Sequence, residues 1–288
     1  MLWVFFALTL MAIAGLVAYI RLGKRVWQRQ QYVRNPDKWP GEDVSLEKGI
    51  SPEENYISLK TGLGQYPFGW PDLMVCLVLG IYFFALAASP SKDHPIPTLR
   101  EIGVGAVFYV LLDVLIFAFL ILRRIHPIQV FGLRAMCGLR VFKSAVFWLI
   151  ALYPLIFLVQ LIVESLAATS ITPQPLVQYL IDNKRLSDHL IVGLLAVIIA
   201  PCTEELIFRG YLYGVLRQYA GRLPAIIVTS CIFAGIHQHL PAFPGLFLLA
   251  VALCLVYEAT GSLMVAMVMH ALFNLIGVLA AIFQPFQL

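Results

Sequence analysis

Charged residues are scarce in this chain. Asp, Glu, Lys and Arg make up 12% of its 288 residues, against roughly 25% in soluble domains. Hydrophobic residues make up 60%, and the mean hydropathy is +0.85. A water-soluble globule is thereby excluded. No C-x-x-C spacing occurs among the five cysteines. Cys76, Cys202, Cys231 and Cys254 lie in apolar runs and Cys137 in a basic loop. That pattern suggests neither a disulfide framework nor a cysteine zinc site, and reads as small buried hydrophobes. The H-E-x-x-H spacing of helix-borne zinc peptidases is absent too, as are internal repeats and low-complexity tracts. Nothing basic precedes the first apolar run, Leu2–Ile20, whereas Arg21, Lys24 and Arg25 follow it. A secretory signal has the reverse order, so this run is expected to be an anchor helix.

Apolar runs of a length that spans a bilayer recur throughout. They predict an all-α, polytopic transmembrane bundle of about eight spans. These lie near 1–20, 70–88, 101–122, 142–164, 188–216, 224–240, 243–258 and 262–283. Of the 20 Lys and Arg residues, fifteen fall in or beside loops 21–69, 123–141 and 217–223, and four in loops 89–100 and 165–187. The positive-inside rule then places the basic loops in the cytosol and both termini outside. The expected organisation is an anchor and cytosolic loop over 1–69, accessory spans over 70–187, and a core over 188–288. In the loop, Ser51, Pro52 and Glu54 form a helix-start pattern. Leu176, Val177, Leu180 and Ile181 suit a short interfacial helix in loop 165–187.

Against this background, "AVIIAPCTEELIFRGYLYGVL" (196–216) is unusual, because it places Glu204, Glu205 and Arg209 inside a span. Three uncompensated charges at mid-bilayer would cost roughly 8–10 kcal/mol. The span is also long, and Pro201 is expected to break it just before Glu204. Two later spans carry His237, and His270 with Asn274. Counted from the basic ends, Glu204 and His237 lie about 20 Å up their helices and His270 about 14 Å. Three helices thus deliver polar groups to similar depth, which predicts a buried polar site at mid-membrane.

Helical phase suggests the roles. Glu205 and Arg209 are spaced i, i+4 and can pair, while Glu204, about 100° round the helix, is left without that partner. His270 and Asn274 share a face and can converge on one point. Phe233 shares a face with His237 and walls the same pocket. His239 reads as an interfacial residue. A carboxylate, two imidazoles, an amide and a water suit amide hydrolysis. Glu204 would take the proton of a water with help from His237, and His270 and Asn274 would donate to the oxyanion. In the alternative, Glu204, His237 and His270 hold Zn²⁺, which activates the same water. The first version needs no cofactor. A Cys202 nucleophile would need an imidazole beside it. Asp113, alone in the third span, keeps a proton-coupled transporter in view.

"APCTEELIFRG" resembles the E-E-x-x-x-R motif of the CPBP family, which contains type II CAAX prenyl endopeptidases and bacteriocin-processing or immunity proteins. "FAGIH" and "HALFN" resemble its F-x-x-x-H and H-x-x-x-N motifs, and "YEATGSLMVAMVMHALFN" the approach to the last of them. The resemblance covers residues 188–280. It implies an intramembrane endopeptidase of glutamate or metallo type, with Glu204 as the catalytic glutamate and Glu205, Arg209, His237, His270 and Asn274 in supporting roles; with the reading of the residues above, the catalytic set is Glu204, His237, His270 and Asn274. The expected partners are the lipid bilayer and a membrane-associated, prenylated or leader-bearing peptide or protein, with no nucleic acid. The expected location is a bacterial inner membrane. A non-catalytic scaffold or immunity factor is the competing class.

Overall fold

The computed structural model describes residues 67–88, 96–166 and 172–283. The anchor expected over 1–20 and the helix start at Ser51–Glu54 lie outside these residues. Among the described residues there is no strand, and the chain runs α1 (Trp70–Ala88), α2 (Leu99–Leu122), α3 (Pro127–Val130), α4 (Gly138–Leu166), α5 (Pro175–Asp182), α6 (Leu186–Ala220), α7 (Arg222–Gly235), α8 (Phe243–Thr260) and α9 (Leu263–Ile282). Of these, α1, α2, α4, α6, α8 and α9 are long and apolar enough to cross a bilayer. The protein is an integral, multi-pass membrane protein. Its outer surface is what hydrocarbon requires, with Ile81, Phe84, Val104, Leu115 and Leu122 exposed on α1 and α2. α5 is the short helix expected between spans four and five, with Tyr179 and Leu180 turned inward.

Two expectations about the spans need correction. The sixth was expected over 224–240, but α7 stops at Gly235 after 14 residues, about 21 Å of helix. His237 therefore sits in the turn that follows, inside the depth of the bundle. Irregular backbone is tolerated at such depth only inside protein or beside water. Here α1 supplies the cover: Gln238, at φ +50°, donates from Nε2 to the Leu86 carbonyl at 2.7 Å. A Cβ on Gly235 would stand 2.8 Å from the Ala87 Cβ, so a side chain there would push α1 away from the turn. His239 caps the next turn, accepting from the Ala242 N–H at 3.2 Å.

The second correction concerns Pro201. Instead of breaking, α6 continues for 35 residues. It absorbs the proline by widening into π-helix over Leu195–Ile199, returning to α over Ala200–Glu205, and widening again over Leu206–Leu212. A π turn reaches one residue further back for its acceptor, so the ring of Pro201 need not collide with the turn before it. π segments inside α-helices are found disproportionately at functional sites. These two bracket the glutamate pair.

The core around α6 is built from α1, α2, α7, α8 and α9. At the end carrying the basic loops, Glu258 of α8 draws three elements together. It accepts from Tyr213 and pairs with Arg217 at 2.9 Å and Arg222 at 2.7 Å. Asp72 and Arg123 pair α1 to α2 near the same end. The loop after α3 packs under the α8–α9 turn, where Leu263 N–H donates to the Phe131 carbonyl at 3.2 Å. Gly132 is needed there: at φ +62°, a Cβ would fall 1.9 Å from the Gly261 carbonyl oxygen.

Candidate active site

The site is assembled on α6, the turn after α7, and α9. On α6, Arg209 Nη1 donates to Glu205 Oε1 at 2.8 Å, with both side chains essentially inaccessible. The i, i+4 spacing sets this pair, and a neighbouring helix completes it: Arg209 Nη2 reaches the Ala250 carbonyl of α8 at 3.3 Å. The guanidinium also lies 4.4 Å from the centroid of Phe233, a cation–π contact strengthened by exclusion of water. The charges of Glu205 and Arg209 thus offset each other where they would otherwise be most costly.

Glu205 has a second task. His270 Nδ1 lies 2.9 Å from the same Oε1. A carboxylate only accepts, so this nitrogen carries the proton and donates it. The bond orients the ring and leaves Nε2 on the far side, 3.9 Å from Glu204 Oε2. His270 therefore stands between the two glutamates, bonded to one and facing the other. Glu204 itself has no hydrogen bond among the described residues, and its side chain keeps 14% of its surface accessible. In a site where Glu205, Arg209 and His270 are all engaged, it is the available carboxylate.

The same logic fixes the tautomer of His237. Its Nδ1 lies 2.8 Å from the Phe233 carbonyl oxygen, so it donates there, and the neutral ring presents its lone pair at Nε2. Phe233 is fully buried and forms the common wall. Its ring lies 5.1 Å from that of His237, 5.7 Å from that of His270 and 5.4 Å from that of Phe208.

Asn274 has a partner that spacing did not reveal: its Nδ2 donates to the Ala196 carbonyl at 2.8 Å. The backbone explains why. In the π register the Ala200 N–H bonds to the Leu195 carbonyl, so the next bond would run from residue 201 to Ala196. Pro201 has no N–H to give. Asn274 satisfies the carbonyl that the proline orphans, and its second amide hydrogen is uncommitted. Asn274→Ala should therefore cost about 1–3 kcal/mol, the usual penalty for stranding a buried polar group. Adding Pro201→Ala should restore part of that loss by supplying the missing N–H. Thermal melting of the purified single and double variants checks this, and additive destabilisation would contradict it.

Residues 186–276 match the family model for type II CAAX prenyl endopeptidases of the Rce1-like kind. This segment is Rce1-like. No curated protein and no solved structure matches the chain. The match is consistent with the CPBP resemblance of the three motifs, and Glu204, Glu205, Arg209, Phe233, His237, His270 and Asn274 all lie within the Rce1-like segment. Among the described residues, no three His, Cys, Asp or Glu side chains form a group that could hold a metal ion.

Phase counting within single helices did not reveal the contribution of α2, which lies outside the Rce1-like segment. This helix packs along the Ala200–Glu205 stretch. The Tyr109 ring is stacked on Phe83 at 6.3 Å. The sequence offered one signal, the isolated Asp113 one turn beyond Tyr109.

Proposed function

We propose that the protein is an intramembrane endopeptidase that hydrolyses a peptide bond of a membrane-associated substrate, prenylated or leader-bearing. The observation that carries this reading is the unengaged carboxylate of Glu204 facing Nε2 of His270, beside a ring, His237, whose own Nε2 is a free acceptor. The Rce1-like match supports the same class of chemistry.

In the proposed reaction, a water lies between Glu204 and His237. The Glu204 carboxylate takes one of its protons as its oxygen attacks the carbonyl carbon, and His237 Nε2 accepts a hydrogen bond from its other O–H. The carbonyl π electrons move to oxygen. The resulting oxyanion is met by His270 Nε2–H in the protonated ring and by the free amide hydrogen of Asn274. Collapse of the intermediate expels the amine, which receives the proton held on Glu204. The Glu205–Arg209 pair acts through His270, holding the orientation of its ring through the Nδ1–H bond as second partners of catalytic histidines do. The fifteen-to-four distribution of Lys and Arg supports basic loops in the cytosol, and we infer a bacterial inner membrane.

The test is terminal-peptide proteomics on membranes from cells with and without the protein. New termini that depend on the protein support proteolysis. Their absence, together with a phenotype on loss of the protein, favours a scaffold. Cleavage should survive dialysis of the purified protein against a zinc chelator with less than about twofold loss, since the proposed step uses side chains alone. Loss that Zn²⁺ restores would move the reading to the metal version.

A further inference from the structure

Asp113 has no part in the mechanism above, yet it is 8% exposed within an apolar spanning helix. Its Oδ1 is buried without a hydrogen-bond partner. Other buried carboxylates of the fold each have a cation: Asp72 has Arg123, Glu205 has Arg209, and Glu258 has Arg217 and Arg222. Asp113 has none among the described residues. An intramembrane carboxyl in that position is retained at a cost to stability, which needs a return elsewhere.

Its placement suggests what that return is. Asp113 and Tyr109 are spaced i, i+4 and lie on one face of α2. α2 packs along Ala200–Glu205, and Asp113, Ile116 and Leu120 are its buried residues. The helix bearing the unpartnered oxygen therefore borders the stretch of α6 that carries Glu204. A peptide bond must leave helical structure before water can attack it. Unwinding frees main-chain N–H groups at a depth where no bulk water is present to accept them. A protein that cleaves within the membrane has to supply acceptors.

We propose that Asp113 lines the substrate path next to Glu204 and accepts a hydrogen bond from a main-chain N–H of the unwound substrate segment. This rests on the protease reading. Recognition is of extended peptide backbone, so it is indifferent to substrate side chains at that position. The acceptor role requires an oxygen and not a titratable proton, which separates it from a proton relay.

The experiment compares wild type, Glu204→Gln, Asp113→Leu and Asp113→Asn at matched levels. It reads the yield of Glu204-dependent termini in membranes and the melting temperature of each purified full-length protein. Asp113→Leu should lower that yield about tenfold, the effect of losing one buried hydrogen bond of roughly 1.4 kcal/mol. Its melting temperature should be unchanged or higher, because an unpaired carboxyl has been removed. Asp113→Asn, which keeps an acceptor oxygen, should stay within about threefold of wild type. Wild-type yield in Asp113→Leu would overturn the proposal. So would a loss in Asp113→Asn as deep as in Asp113→Leu, which would mark a proton carrier, or a lowered melting temperature in Asp113→Leu, which would mark a structural residue. If wild type yields no termini beyond those of cells lacking the protein, the protease reading fails and the proposal with it; termini that persist in Glu204→Gln would leave proteolysis standing and overturn the placement of the substrate path beside Glu204.

Discussion

Glu204→Gln is expected to reduce cleavage by about 10²–10⁴-fold, the contribution of a positioned general base, while leaving the protein folded. The two parts of this expectation have separate causes. Glutamine keeps the shape of the side chain but cannot take the proton of the attacking water. Glu204 also bonds to nothing among the described residues, so its replacement strands no partner. Removing an intramembrane charge that is otherwise worth about 2.5–3.5 kcal/mol on insertion should leave the melting temperature equal or raised. Size-exclusion profiles and melting of the purified variant, beside counts of cleaved termini, check both parts. Glu205→Gln is the matched contrast. It weakens the Arg209 pair and the acceptor of His270, so it should lower stability as well as rate. Cleavage that persists in Glu204→Gln would remove this residue from the water-activating role.

Arg209→Ala should act chiefly on the fold. Glu205 would lose the cation 2.8 Å away, the Ala250 carbonyl its donor at 3.3 Å, and Phe233 the guanidinium above its ring. Breaking a buried ion pair by deleting one member costs about 3–5 kcal/mol, enough to deplete the protein from the membrane. Arg209→Lys should fall between, since an ammonium cannot reproduce the fork that reaches both Glu205 and Ala250. The double variant Glu205→Gln, Arg209→Met should recover much of the abundance because no charge is left unpaired. Its cleavage rate should remain below wild type, because a neutral amide holds His270 less firmly than a carboxylate does. Fluorescence-detected size exclusion of detergent extracts measures the abundance. Normal levels of Arg209→Ala would show that the pair does not carry the fold.

Much of this site was legible before any coordinates. The scarcity of charge and the recurrence of apolar runs dictate spanning helices, because backbone groups in hydrocarbon must bond within their own segment. Within one helix the angle between residues is set by 3.6 residues per turn. The Glu205–Arg209 pair follows from spacing alone, as does the separation of Glu204 from Glu205. Counting residues from the helix ends is also why the polar groups of α6 and α9 could be expected to meet.

Contacts between helices were not legible, since periodicity says nothing about how one helix is rotated against another. Only the packing of α9 on α6 places His270 between the two glutamates, and only tertiary packing sets α2 along the same stretch. The path of α6 through Pro201 was equally hidden. A proline removes one N–H and crowds one turn, and a kink or a π widening each relieves that. The choice depends on whether a neighbour can satisfy the freed carbonyl, and Asn274, 78 residues further along the chain, does so. Local sequence thus settles which groups share a helix face, while the rotation and register of neighbouring helices settle which of those groups touch.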